Sequence, residues 1–402
     1  MRERFGGPSA IVALSVLSLS TFAYVTTETL PIGLLPLIAR DLGSTASAVG
    51  LLITAYGLVV VLASIPLTRL TQRVNRRLLL CVLLAVFVAA TAASAFARDY
   101  QTLLVSRIVT ALSQAVFWAV VTPATAALFR PEVRPRALSI LYAGSSVATL
   151  AGVPAGTWLG QQTSWRAAFL ALSAIGIGIL VTIAILLPSS PPGTSDADRG
   201  SAPDAGRYWA IVTYTALAIT GAFASYTYIS PFFTQVSHFG EGAVGPLLFA
   251  RGLAGLTGVF VIGYLVGRNG WLAMTGVIGA QTVALAGQWA LGSNQLATIV
   301  SICVSGFAIA GLSAGLGARV LEVAPSGSDL AAAGTSTAFN IGITLGAFVG
   351  SLLLPVFGVR ATALAGVLFT LAALAVVLAE PRLATRPRAR SPEAPEPVLS
   401  RR

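Results

Sequence analysis

The chain has 402 residues, 55% of them hydrophobic and only 10% charged, and its mean hydropathy of +0.83 excludes a soluble globular protein of this length. The formal net charge is +11 and every cation is an arginine, because the sequence contains no lysine. The arginines sit in short clusters between apolar runs, which is the pattern of cytoplasmic loops in membrane proteins and not of a nucleic-acid surface.

The first stretch, MRERFGGPSAIVALSVLSLS, imitates a secretory signal, but the apolar run continues past Ala39 without a small-x-small cleavage site, so it is read as a retained span. A hydropathy pass predicts twelve spans. In the first half they cover 11–39, 46–69, 78–97, 101–128, 137–160 and 167–187. In the second they cover 209–232, 243–266, 271–291, 296–319, 330–354 and 361–379. Between the halves, PSSPPGTSDADRGSAPDAGR is polar and rich in residues that break regular structure, so 188–208 is expected to be a cytoplasmic linker. Residues 380–402 form a basic tail without the composition of a packed element. With both termini cytoplasmic, nineteen arginines lie on the inner side and four (Arg40, Arg98, Arg166 and Arg360) on the outer side, which favours that orientation.

Small residues reveal a repeat. Gly144, Ala148, Gly152, Gly156 and Gly160 step by four along the fifth span, and Gly334, Ala338, Gly342, Gly346 and Gly350 do so along the eleventh, 190 residues later. Ridges of this kind let another helix backbone approach closely, and two matched ridges imply duplicated halves that pack and move against each other.

Polar residues inside spans are few. Glu28 is the one carboxylate expected well inside a span, and Arg107 and Arg251 are the in-span arginines. At 1.5 Å per residue Glu28 lies roughly 16 Å from the outer end of its span and Arg107 roughly 9 Å from its own, depths that permit contact if the helices adjoin. Three helix faces look polar: Thr21, Tyr24 and Glu28, with Pro31 and Pro36 expected to bend or break the helix beyond; Arg107, Gln114 and Trp118; and Thr337, Asn340 and Thr344. Each stripe alone fits helix-helix hydrogen bonding; together they point to a shared aqueous cavity. Arg251 either enters that cavity or snorkels to the outer surface. His238 falls in an outer loop, and Cys81 and Cys303 lack metal-ligand spacing and fit unpaired thiols.

The motifs, in order, resemble those of the major facilitator superfamily, specifically its twelve-span drug:proton antiporter branch, and are most similar to bacterial sugar efflux transporters. TTETLPIGLLPLIARDL resembles the group's first-span signature, with Glu28 at the acidic position. RLTQRVNRRLLL keeps the basic part of the loop motif in Arg73, Arg76 and Arg77 but lacks its usual Asp. SRIVTALSQAVFW resembles the fourth-span motif, whose arginine is Arg107 here, and AGVPAGTWLG resembles the antiporter motif with Gly152, Pro154, Gly156 and Gly160, although Val153 replaces the usual Gly. YTYISPF and FNIGITLGAFVGS are also similar to the sugar efflux group.

The resemblance implies an all-α integral membrane protein: twelve transmembrane helices in two pseudo-symmetric six-helix bundles, residues 1–187 and 209–379. It implies alternating access in a bacterial inner membrane, with Glu28 and Arg107 coupling protons to the export of a small molecule such as a sugar or an antibiotic. Tyr24, Gln114, Trp118, Tyr226, Tyr228, Arg251 and Asn340 are the candidate cavity residues. Uptake on the same scaffold is the alternative. No metal, cofactor or nucleic-acid partner is expected; the partners are substrate, protons and lipid, and the functional unit is expected to be a monomer. No in-span carboxylate pair or activated nucleophile suggests hydrolysis, and nothing resembles a selectivity-filter ring.

Overall fold

In the computed structural model, residues 8–71, 74–129, 134–187, 204–323 and 328–383 are described, and among them no strand occurs. Residues 188–203 of the expected linker, Arg73 of the loop motif and 384–402 of the tail lie outside the described residues. The helices are α1 (Pro8–Asp41), α2 (Ala46–Thr71), α3 (Arg76–Ala95), α4 (Tyr100–Ala127), α5 (Arg134–Val147), α6 (Val153–Gln162) and α7 (Trp165–Leu186). They continue as α8 (Ala205–Tyr226), α9 (Ile229–Gln235), α10 (Val244–Leu291), α11 (Gln295–Val323), α12 (Ser328–Phe357) and α13 (Arg360–Leu383). Both α8 and α13 exceed their expected borders by four residues, so Glu380 belongs to a helix and not to the tail.

Among the described residues eleven helical segments are long and apolar enough to cross a membrane. One of them is double. Helix α10 has 48 residues, about 72 Å of helix against a hydrocarbon core of about 30 Å, and its backbone leaves helical geometry at Asn269 (φ −152°, ψ 94°). Asn269 Oδ1 accepts from the Leu272 N–H at 3.0 Å, so it caps a second helix and the segment makes two crossings, twelve in all.

Prolines account for the other irregularities. Between α5 and α6, Ala148–Gly152 is a π-helical turn immediately before Pro154, whose missing N–H and bulky ring disturb the α-helical ladder of the preceding turn. Between α8 and α9 the span breaks at Thr227 and Tyr228, and Pro231 removes the N–H that would have bonded Thr227. In contrast, α1 runs unbroken through Pro31 and Pro36, where the sequence suggested a bend or break. Side chains of Arg107 and Ser230 take up the Thr27 and Ile32 carbonyls that these two prolines leave free.

Helices α1–α7 pack together, as do α8–α13, and the two bundles meet through α2 with α12, α6 with α10 and α1 with α9. On α12, Ile341, Leu345, Phe348 and Leu352 form one exposed apolar stripe, the surface a helix offers to lipid. The small-residue ridges make the close helix approach expected of them, and they make it inside each bundle. Gly144, Gly152, Gly156 and Gly160 lie against Ser18, Thr26, Leu30 and Leu34 of α1, while Gly334, Gly342, Gly346 and Gly350 lie against Tyr208, Ile219, Thr220 and Tyr228 of the seventh span. The ridges therefore seat the fifth span on the first and the eleventh on the seventh, the same pairing inside each bundle. A Cβ at any of these glycines would overlap its neighbour.

Candidate functional site

Helices α1, α2 and α4 bring Glu28, Tyr56, Arg107 and Gln114 together in the first bundle, all of them buried. The carboxylate of Glu28 accepts from Gln114 Nε2 at 2.7 Å, and Tyr56 Oη donates to Gln114 Oε1 at 2.7 Å. The amide thus has one face fixed by a phenol and the other turned to the carboxylate. Arg107 stands beside them, its guanidinium carbon 4.5 Å from the centre of the Tyr56 ring.

Sequence depth permits Glu28 and Arg107 to pair, and the helices do adjoin, but Arg107 bonds the backbone of α1 instead. Its Nη1 donates to the Thr27 carbonyl at 2.7 Å and its Nη2 to the Glu28 carbonyl at 3.1 Å. The reason lies in the sequence of α1. Pro31 has no N–H, so the Thr27 carbonyl four residues earlier has no helical donor and is available to the guanidinium. Glu28 therefore has an amide donor on its carboxylate and no guanidinium.

Other expected cavity residues are placed variously. Tyr24 lies in the core of the first bundle: its hydroxyl contacts Ser113 Oγ at 2.9 Å and the Leu83 carbonyl at 3.1 Å, and its ring stacks on Phe117 at 4.2 Å. Burial among Leu84, Phe87 and Phe117 takes it away from the expected cavity. Trp118 is half-buried and stacks on Tyr142 at 6.1 Å, not on the Glu28 group. Tyr228 is a seal between bundles, wedged between Gly50 of α2 and Gly350 of α12, with its hydroxyl donating to the Ala347 carbonyl at 2.9 Å. Tyr226 and Arg251 are together, with the guanidinium carbon 3.8 Å from the ring centre. Asn340 is half-buried on α12 and donates to the Ser336 carbonyl at 2.9 Å. Of the basic loop, Arg76 and Arg77 open α3, Asn75 caps that helix, and Arg77 donates to the Ala184 carbonyl of α7. Cys81 and Cys303 are free thiols.

Polar contacts join the bundles at the end distant from the chain termini. Ser230 Oγ donates to the Ile32 carbonyl at 2.7 Å, and Ser47 Oγ to the Ser351 carbonyl at 2.6 Å. Arg40 pairs with Glu241 at 2.5 Å, and Gln161 Nε2 donates to the Glu241 carbonyl at 2.6 Å. The distal mouth between the bundles is closed at these points.

A second buried charge cluster was not expected. Glu380, fully buried, pairs with Arg319 of α11 and, at 3.3 Å, with Arg207 of α8, while Arg319 also pairs with Glu322 at 2.5 Å. Sequence reasoning missed it because Glu380 lies three residues from the end of α13, where a carboxylate looks solvated. Tyr56, Ser47 and Ser230 were missed as well. For the serines a usable signal existed, since each meets a carbonyl four residues before a proline.

The model of the Major Facilitator Superfamily matches residues 17–288. A Bacillus subtilis (strain 168) protein named uncharacterized MFS-type transporter YtbD is 34% identical over 373 residues, covering 91% of this chain and 94% of its own. A probable sugar efflux transporter of Helicobacter pylori (strain G27) is 33% identical over 356 residues, covering 87% of this chain and 90% of its own. Among solved structures, a bacterial homolog of the human lysosomal transporter Spinster in an inward-facing, unoccupied conformation superposes with a TM-score of 0.77 over 94% of this chain and 98% of that one. Its 16% identity makes this a likeness of fold.

Proposed function

The chain belongs to the major facilitator superfamily, whose members are transporters and not enzymes, and on that premise we propose that it exports a small molecule in exchange for protons by alternating access. Glu28 is the proton carrier in this reading. The observation that carries it is the arrangement of Glu28 and Arg107: a buried carboxylate held by one amide, beside a guanidinium occupied by backbone carbonyls. A carboxylate without a cation on its oxygens bears its desolvation cost alone, and a proton removes that cost. Protonation moves the carrier only if the two conformations hold the proton with different affinity, so opening of the distal mouth has to change the surroundings of Glu28. Arg107, on the same group, positions α1 against α4.

A sugar is the favoured cargo, supported by relatives named as probable sugar efflux transporters at about one-third identity, with antibiotics as the competing class. Gln114, Trp118, Tyr226, Arg251 and Asn340 are the side chains to which substrate contact is ascribed. The membrane is a bacterial inner membrane, both termini are cytoplasmic, the distal mouth faces outward and one chain is the working unit. In proteoliposomes with an imposed pH gradient, Glu28→Gln is expected to abolish gradient-driven export of a substrate found by screening sugars and antibiotics in expressing cells. Unchanged export in that variant overturns the reading.

A further inference from the structure

We infer that the second bundle holds a pocket for a compact anion centred on Arg251, and that the transported compound presents a carboxylate to it; this rests on the transport reading above. Arg251 is 92% buried, with a relative exposure of 8%, and among the described residues no carboxylate pairs with it. Arg251 lines, with Ser225, Tyr226, Gln288, Ile302 and Ser305 from α8, α10 and α11, a cleft too tight for a water molecule in this conformation, so an anion enters it only when these helices move apart.

Comparison with Arg107 defines what is lacking. Both arginines lie seven residues inside the distal end of their helix, Arg107 after Tyr100 and Arg251 after Val244, about 10 Å deep. Both stack on a tyrosine, Tyr56 and Tyr226. Arg107 then delivers its N–H groups to two backbone carbonyls, one of them freed by Pro31, whereas among the described residues Arg251 has the ring and no hydrogen-bond acceptor. Stacking covers one face of a planar guanidinium and leaves the five donors, which lie in its plane, directed sideways, the geometry that takes a carboxylate with two parallel hydrogen bonds. A buried cation without a counter-ion is costly, and an anionic ligand offsets that cost.

The pocket also supplies neutral donors. Ser225 Oγ donates to Gln288 Oε1 at 2.8 Å, so the amide NH2 remains available as a donor. Two turns from Gln288 and outside the residues that line the cleft, Gln281 is 4% exposed and neither of its amide atoms has a partner. The free amide donor of Gln288 and the lone cation beside it fit the acidic end of a substrate.

The test uses purified full-length protein in detergent and matched acid and amide probes: D-glucuronate with D-glucuronamide, D-gluconate with D-gluconamide, and lactate with lactamide. At least one acid should raise the melting temperature by two degrees or more above its amide. Arg251→Gln should lose that difference and Arg251→Lys should keep part of it. Empty Arg251→Gln should melt at or above the wild-type temperature, because the uncompensated charge is gone. The proposal is overturned if no acid exceeds its amide, if the difference survives Arg251→Gln, or if the empty variant melts several degrees lower, which marks a structural arginine. Glu28→Gln should retain the acid effect, so failure of the transport reading appears in that variant's export and failure of the pocket appears in the Arg251 variants.

Discussion

The hydroxyl of Ser230 donates to the carbonyl of Ile32 at 2.7 Å, an acceptor that is free because Pro36, four residues further on, has no N–H. Ser47 and Ser351 repeat the arrangement with Pro355, so two proline-freed carbonyls, one in each bundle, accept a hydroxyl from the other bundle. Each such bond contributes about 0.5–1.5 kcal/mol net. Replacing both serines with alanine should therefore favour the distally open state by roughly tenfold. Spin labels at residues 45 and 242, with Cys81 and Cys303 replaced by serine, should show a larger long-distance population, and an unchanged distribution would remove the latch role.

Arg107 uses two arms of its fork on two successive carbonyls, which lysine cannot imitate. Arg107→Lys keeps the charge but loses one charge-assisted hydrogen bond, at a cost of about 2 kcal/mol. Thermal unfolding should register that loss, and transport should fall at least tenfold as α1 shifts relative to Gln114. Wild-type transport in Arg107→Lys would show that charge alone suffices.

Glu380 and Arg319 form a pair with almost no exposure on either side. Removing Glu380 leaves the buried Arg319 with only the half-exposed Glu322 as carboxylate partner among the described residues, so Glu380→Ala should destabilise the protein by up to about 3 kcal/mol, the low end for a broken buried pair. The double replacement Arg319→Met with Glu380→Leu should recover most of that stability, as measured by unfolding in detergent. A double variant no better than the single one would locate the cost in packing and not in charge.

Asp99 caps α4 in the distal loop, accepting from the Thr102 N–H at 2.7 Å and its hydroxyl at 3.1 Å, and these bonds hold its carboxyl below the usual aspartate range. A group with a lowered folded value contributes stability above its unfolded pKa and loses it as pH falls through the folded one. Asp99→Ala should melt a degree or two below wild type at neutral pH. The gap should close on acidification below the normal aspartate range, and a gap independent of pH would contradict the cap.

The twelve crossings were legible because hydropathy is a sum over many residues, insensitive to any one position. Glu28 was legible for the opposite reason: one charge in an apolar run stands out. Its partner was not, because depth brings Arg107 to the correct level, while the missing N–H at Pro31 decides whether the guanidinium meets the carboxylate or the backbone. The glycine ridges announced a close approach without naming the helix that approaches. Tyr24 and Tyr228 carry hydroxyls that look suited to a cavity, yet each finds a backbone carbonyl inside packed helices, a match that depends on tertiary contacts.

Seating the fifth span on the first and the eleventh on the seventh through glycines, which fit directly against the partner helix's side chains and backbone, leaves those pairs little free space to compress. Any large displacement is thereby directed to the seam, where α2 meets α12 through the Gly50–Tyr228–Gly350 sandwich and α6 meets α10 near Gly245. The molecule is stiff blocks on a bearing, and the smallest residues along the bearing determine how far it turns.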